Sequence, residues 1–94
     1  MVAFSVILAV MKRPVNPVSV LLGKRIQKLR KAAGFSQENF AHEVGVHRTY
    51  MSLIERGQRN MTVMTYIRII RKLGVTEDVL LKGLPTPEGK GEDE

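Results

Sequence analysis

SQENFAHEVGVHRTYMSLIERG, residues 36–57, is the stretch on which the fold turns. Ser36 is a good N-cap, its hydroxyl suited to accept from an early helical N–H, and Gln37, Glu38 and Asn39 follow it. Phe40, Ala41 and Val44 then recur at helical spacing as a buried stripe, which Gly45 breaks after about two turns. A further helix is expected over about Arg48–Arg56, with Met51 and Ile54 inward and Gly57 ending it. Between Val44 and Arg48 there is room only for a tight turn, so the two helices must cross rather than lie side by side. That geometry is a helix-turn-helix.

Working outward, Leu22, Ile26, Leu29 and Ala33 step by three and four residues and predict a preceding helix from about Ser19 to Ala33, closed by Gly34. Lys24, Lys28 and Lys31 fall largely on its other face, a solvated charge distribution that adds nonspecific attraction to phosphate at most. Downstream, Thr62 caps a helix whose apolar positions are Val63, Tyr66, Ile67, Ile70 and Leu73, with Ile69 widening the face. Gly74 stops it, and Thr76-Glu77-Asp78 opens a fifth helix with the acids where the helix dipole favours them. The expectation is an all-α fold of five short helices over residues 18–83, with the helix-turn-helix at helices two and three.

The flanks read differently. Residues 1–17 form an apolar run and a Pro14–Pro17 connector, which resists helix. The run ends before Lys12-Arg13 and is far shorter than the roughly 20 residues needed to span a bilayer. Its charges follow the apolar stretch instead of preceding it, unlike a secretory signal, and Met11 offers an alternative start. No membrane partner and a cytoplasmic location are therefore expected. Residues 84–94 carry two prolines, two glycines and four acids and read as a flexible tail.

Composition narrows the chemistry. The 94 residues suffice for one core, and cysteine is absent, which excludes disulfides and thiolate metal sites. His42 and His47, five apart, diverge on a helix, so neither metal nor cofactor is expected, and no nucleophile–base–orienter set suggests an enzyme. Residues 1–60 hold ten Lys/Arg against three Asp/Glu, whereas residues 61–94 hold five against six. Positive charge thus gathers around the helix-turn-helix, as a phosphate-binding surface requires, although RNA or an acidic membrane would also be attracted.

With these residues in place, Ser36–Gly57 resembles the lambda-repressor-like Cro/C1-type, or XRE-like, regulators. Shared features are Ser36-Gln37, Ala41, Gly45 and Ile54-Glu55-Arg56-Gly57, extended upstream by Leu22-Gly23-Lys24-Arg25-Ile26 and Leu29-Arg30 and downstream by Arg59-Asn60 and Leu73-Gly74-Val75. Arg48-Thr49-Tyr50-Met51-Ser52 and Arg59-Asn60-Met61-Thr62 give a narrower resemblance to restriction-modification controller proteins. His47 stands where those proteins typically carry an acid.

The resemblance implies a sequence-specific transcription regulator, a homodimer on a partly palindromic double-stranded operator, with RNA polymerase as a further candidate partner. Arg48, Thr49 and Ser52 are the candidate base readers: arginine can pair two donors with guanine, and threonine can offer a hydroxyl or methyl contact. Gln37, Tyr50, Gln58, Arg59 and Asn60 are the candidate backbone contacts. Arg30 and Glu55 occupy positions that pair in related repressors, and Ile69, Val79, Leu80 and Leu81 are candidates for the dimer seam. A prophage or antitoxin-type repressor is the alternative within DNA binding, and a helix-turn-helix that docks on protein is the alternative outside it.

Overall fold

A computed structural model describes residues 16–85, so residues 1–15 and 86–94, most of the expected extension and tail, lie outside the described residues. Five helices follow in order: α1 Pro17–Ala32, α2 Gln37–Val44, α3 Arg48–Glu55, α4 Val63–Leu73 and α5 Glu77–Leu81. None of them is long and apolar enough to cross a membrane.

The first helix starts two residues before the expected Ser19, because Asn16 and Pro17 initiate it instead of prolonging the connector. The Asn16 side chain accepts from the Val18 N–H at 2.8 Å, and Pro17 occupies the first turn, where its missing N–H costs nothing. Ser36 caps α2 by accepting from Asn39 N–H at 3.0 Å. Gly45 ends α2 in the left-handed region at φ 87°, which turns the chain directly into α3.

The core consists of Ile26, Phe40, Ala41, Val44, Met51, Ile54, Ile69 and Leu80, drawn from all five helices. Phe35 packs its ring on Phe40 with centroids 5.4 Å apart. In α1 the inward line is Gly23, Ile26 and Arg30, with Leu22 and Leu29 flanking it, and Ala33 is exposed.

The inward phase of α4 also departs from expectation. Thr65 and Ile69 are its buried residues, Tyr66, Ile70 and Leu73 pack beside them, and Val63 and Ile67 face outward. Seven apolar residues, Met64 among them, spread too far around this helix to set its rotation, and packing against the other helices turns Thr65 and Ile69 inward. Thr65 is held locally, its N–H donating to Thr62 Oγ1 and its own Oγ1 accepting from the Thr62 hydroxyl, both at 3.1 Å.

Two longer ties complete the framework. Arg25 donates to the Leu80 and Lys82 carbonyls at 2.9 and 2.6 Å, which joins the end of α5 to α1. Lys72 on α4 pairs with Glu43 on α2 at 2.7 Å, and this ammonium holds the Glu43 carboxyl below the usual carboxylate range.

Candidate nucleic-acid interface

The expected Arg30–Glu55 pair is present and nearly closed to solvent. Arg30 donates through Nε to Glu55 Oε2 at 2.7 Å and through Nη2 to Oε1 at 3.1 Å. Its Nη1 donates to the Phe35 carbonyl at 2.8 Å, just beyond the end of α1. Glu55 accepts once more, from Gln37 Nε2 at 3.1 Å. One carboxylate at the end of α3 therefore joins α1 and the first turn of α2, fixing the angle at which α3 is presented.

Backbone approaches reinforce that docking. A Cβ on Gly23 would overlap the Ile54 carbonyl oxygen and stand 2.7 Å from that of Glu55, so only glycine lets α1 lie this close to α3. Gly57, at φ 74°, would place a Cβ 2.5 Å from the Val20 Cα. Both the left-handed turn and the contact exclude a side chain there.

At its other end α3 carries the outward-facing polar residues. Arg48 and Thr49 are exposed, and Ser52 is half-buried. His47 is the N-cap, its Nδ1 accepting from Thr49 N–H at 3.2 Å. The imidazole thus serves the start of α3.

Among the expected backbone contacts, Gln37 is half-buried and its amide is oriented by Glu55. Asn60 accepts from Ser19 Oγ at 3.0 Å through its side chain and from the Tyr50 hydroxyl at 3.3 Å through its carbonyl. The Arg59 guanidinium lies 5.6 Å from the Tyr50 ring centroid, a cation–π arrangement that gathers the loop after α3 against its first turn. Gln58 is exposed, its backbone N–H turned back to the Leu53 carbonyl at 2.9 Å.

Two residues outside the sequence-based set belong to this face. With Met51, Ile54 and Glu55 inward, successive steps of about 100° carry Thr49, Leu53 and Arg56 to the opposite side of α3. The inward phase set by Met51 and Ile54 was already the signal that could have identified them. Val46, His47, Thr49, Tyr50, Leu53 and Arg59 line an open groove of about 500 Å³ beside this surface.

The seam candidates divide. Ile69 and Leu80 are wholly buried in the protomer's own core, which corrects their assignment to a contact between copies: α4 and α5 use them to close on α1–α3. Val79 and Leu81 remain accessible, at 47 % and 45 % exposure. Among the described residues no group of three or more His, Asp or Glu side chains is placed to hold a metal.

A short helix crossed over its predecessor, docked at one end by a buried ion pair and presenting arginine and hydroxyl groups at the other, defines a DNA-binding helix-turn-helix protein. A family model described as helix-turn-helix matches residues 26–80, and the chain belongs to that family, as a Cro/C1-like transcription regulator. It is 39 % identical over 62 residues to control protein C.MunI of Mycoplasma sp, covering 65 % of this chain and 84 % of the relative. Identity is also 39 % over 67 residues to control protein C.BamHI of Bacillus amyloliquefaciens, covering 70 % and 83 %. The crystal structure of the restriction-modification controller protein C.AhdI from Aeromonas hydrophila superposes with a TM-score of 0.63 at 35 % identity, over 66 % of this chain and 94 % of that one.

Proposed function

We infer that this regulator binds a partly palindromic operator as a homodimer and controls the genes of a restriction-modification system. The observation that carries the reading is the placement of Arg48 and Thr49, exposed at the start of a helix whose far end is locked by Arg30–Glu55. In this reading α3 enters the major groove, where Arg48 pairs with a guanine edge and Thr49 and Ser52 contact neighbouring bases. Gln37, Tyr50, Gln58, Arg59 and Asn60 grip the flanking phosphates and set the register. A seam including Val79 and Leu81 joins two copies so that their helices reach half-sites about 34 Å apart. Similarity to control proteins and to the restriction-modification controller C.AhdI supports the restriction-modification assignment; RNA polymerase at the promoter is the further partner this proposal carries.

The test is selection from a randomised duplex pool at near-physiological salt, followed by binding of the enriched sequence to wild type and Arg48→Ala. Enrichment of a two-fold-related site is expected, with Arg48→Ala losing about 1–3 kcal/mol of discrimination at one base pair per half-site. Equal, weak retention of all sequences would reject operator recognition and favour a protein-docking role for the same face.

A further inference from the structure

We propose that Leu53 reads the C5-methyl group of a thymine in the operator, with the groove beside it as the apolar receptacle for that methyl. This rests on the operator-binding reading above and adds a base-discriminating residue to it. Three observations converge. Leu53, half-buried, stands about 150° around α3 from the centre of the buried Met51–Ile54–Glu55 arc, so it is turned to the outward side of the helix and is not one of its core residues. It lies one helical turn beyond Thr49, which puts its side chain next to a hydroxyl and methyl already assigned to base contact. The groove that Leu53 shares with Thr49, Tyr50 and Val46 is walled largely by hydrocarbon, while Arg59 and His47 supply its polar edge.

An apolar side chain on this face has one chemical partner among base edges. The major-groove edge of every base pair offers donors or acceptors, and only thymine adds an apolar group. A leucine there cannot hydrogen-bond to guanine, adenine or cytosine, and placing it against their polar edges would strip water from them without compensation. Against a thymine methyl it gains contact and excludes water from both surfaces. Arg59, fixed over the Tyr50 ring at the groove's edge, is placed to hold the phosphate alongside.

The experiment uses the full chain and the best duplex from the randomised pool, with each half-site thymine replaced singly by deoxyuridine, which removes the methyl and leaves the hydrogen-bonding edge intact. At one thymine per half-site the wild type is expected to lose about fourfold in affinity per methyl, the worth of one buried methyl-sized group. Replacing that thymine by cytosine weakens binding, and 5-methylcytosine, which restores a methyl at the same ring position, recovers part of the loss.

Leu53→Ala and Leu53→Gln should bind the thymine and deoxyuridine duplexes equally. The glutamine variant retains side-chain length, so it carries the comparison if truncation to alanine unfolds the domain. Absence of a deoxyuridine penalty at every position in the wild type overturns the proposal, as does a penalty that persists unchanged in the Leu53 variants. Either result leaves operator recognition intact if a two-fold site was enriched. A wild type that enriches no sequence overturns operator recognition and the Leu53 assignment together.

Discussion

Replacing Arg30 by Met isolates the energetic role of the buried pair. Both side chains are almost inaccessible, at 6 % for Arg30 and 1 % for Glu55. Without the guanidinium, the Glu55 carboxylate would stay buried with only Gln37 as a side-chain donor, a situation that costs about 3–5 kcal/mol. A 94-residue chain has a total stability of roughly 5–14 kcal/mol, so this loss removes a large share. Urea unfolding followed by far-UV circular dichroism measures it, since the fold is helical and has no tryptophan to report by fluorescence. With a slope near 1 kcal/mol per molar urea, the midpoint should fall by about 3–5 M. Glu55→Leu, which strands the arginine instead, should cost a similar amount. Arg30→Met/Glu55→Leu leaves neither charge behind and should lose less than either single variant, giving a coupling of at least about 2 kcal/mol. Single losses below about 1 kcal/mol that simply add would mean the pair behaves as an exposed one, and would refute the reasoning.

Gly57→Ala should lower stability by more than Gly34→Ala, although both glycines have positive φ. Gly34 has nothing within 4 Å of the added carbon, so only backbone strain of about 1–2 kcal/mol applies, while Gly57 adds overlap with Val20; equal melting temperatures for the two variants would contradict this. His47→Asp should raise stability by about 0.5–1 kcal/mol by improving the cap of α3, to be checked by thermal melts. Tyr66 has a buried hydroxyl with no hydrogen-bond partner, so Tyr66→Phe should be neutral or stabilising by up to about 1 kcal/mol. Burial first, and Glu77 second, raise the Tyr66 phenol above its ordinary value of 10.0. The folded state therefore retains the proton longer than the unfolded state. That contribution is complete below pH 10 and is lost as pH rises through the folded value, so wild type should lose more stability than Tyr66→Phe between pH 9 and pH 11.

Much of this fold was legible because its punctuation is chemical and local. Ser36, Gly45, Thr62 and Gly74 stop or start helices through caps and left-handed turns that need no distant partner. Asn16-Pro17 was misread because the same proline that breaks a helix interior begins a helix when a capping asparagine precedes it. The rotation of α4 was not legible, since apolar residues cover most of its circumference and only packing against the other helices chooses Ile69 over Ile67 for the interior. Leu80 was ambiguous for the same reason, as a leucine for the core and a leucine for a partner have the same local pattern. At the reading face, Arg48 and Thr49 followed from the helix start. Leu53 and Arg56 were legible too, since they lie opposite Met51 and Ile54, whose spacing already sets the inward phase of α3. The Arg30–Glu55 pair spans 25 residues and came from family resemblance, because no local periodicity brings them together.

The contacts of Gly23, Gly57 and Arg30 all converge on the C-terminal end of α3, an eight-residue helix about 12 Å long. The helix is thus built as a cantilever, clamped where it meets the scaffold and exposed at the end that carries Arg48 and Thr49. Arg48 and Thr49 take no part in the Arg30–Glu55 pair or the two glycine contacts, so on the proposed operator reading they can be exchanged with the clamp unchanged. On that proposed reading, new operator preferences arise by a few substitutions on an unchanged mount, and the changes that destroy the protein lie at the opposite end from those that retarget it.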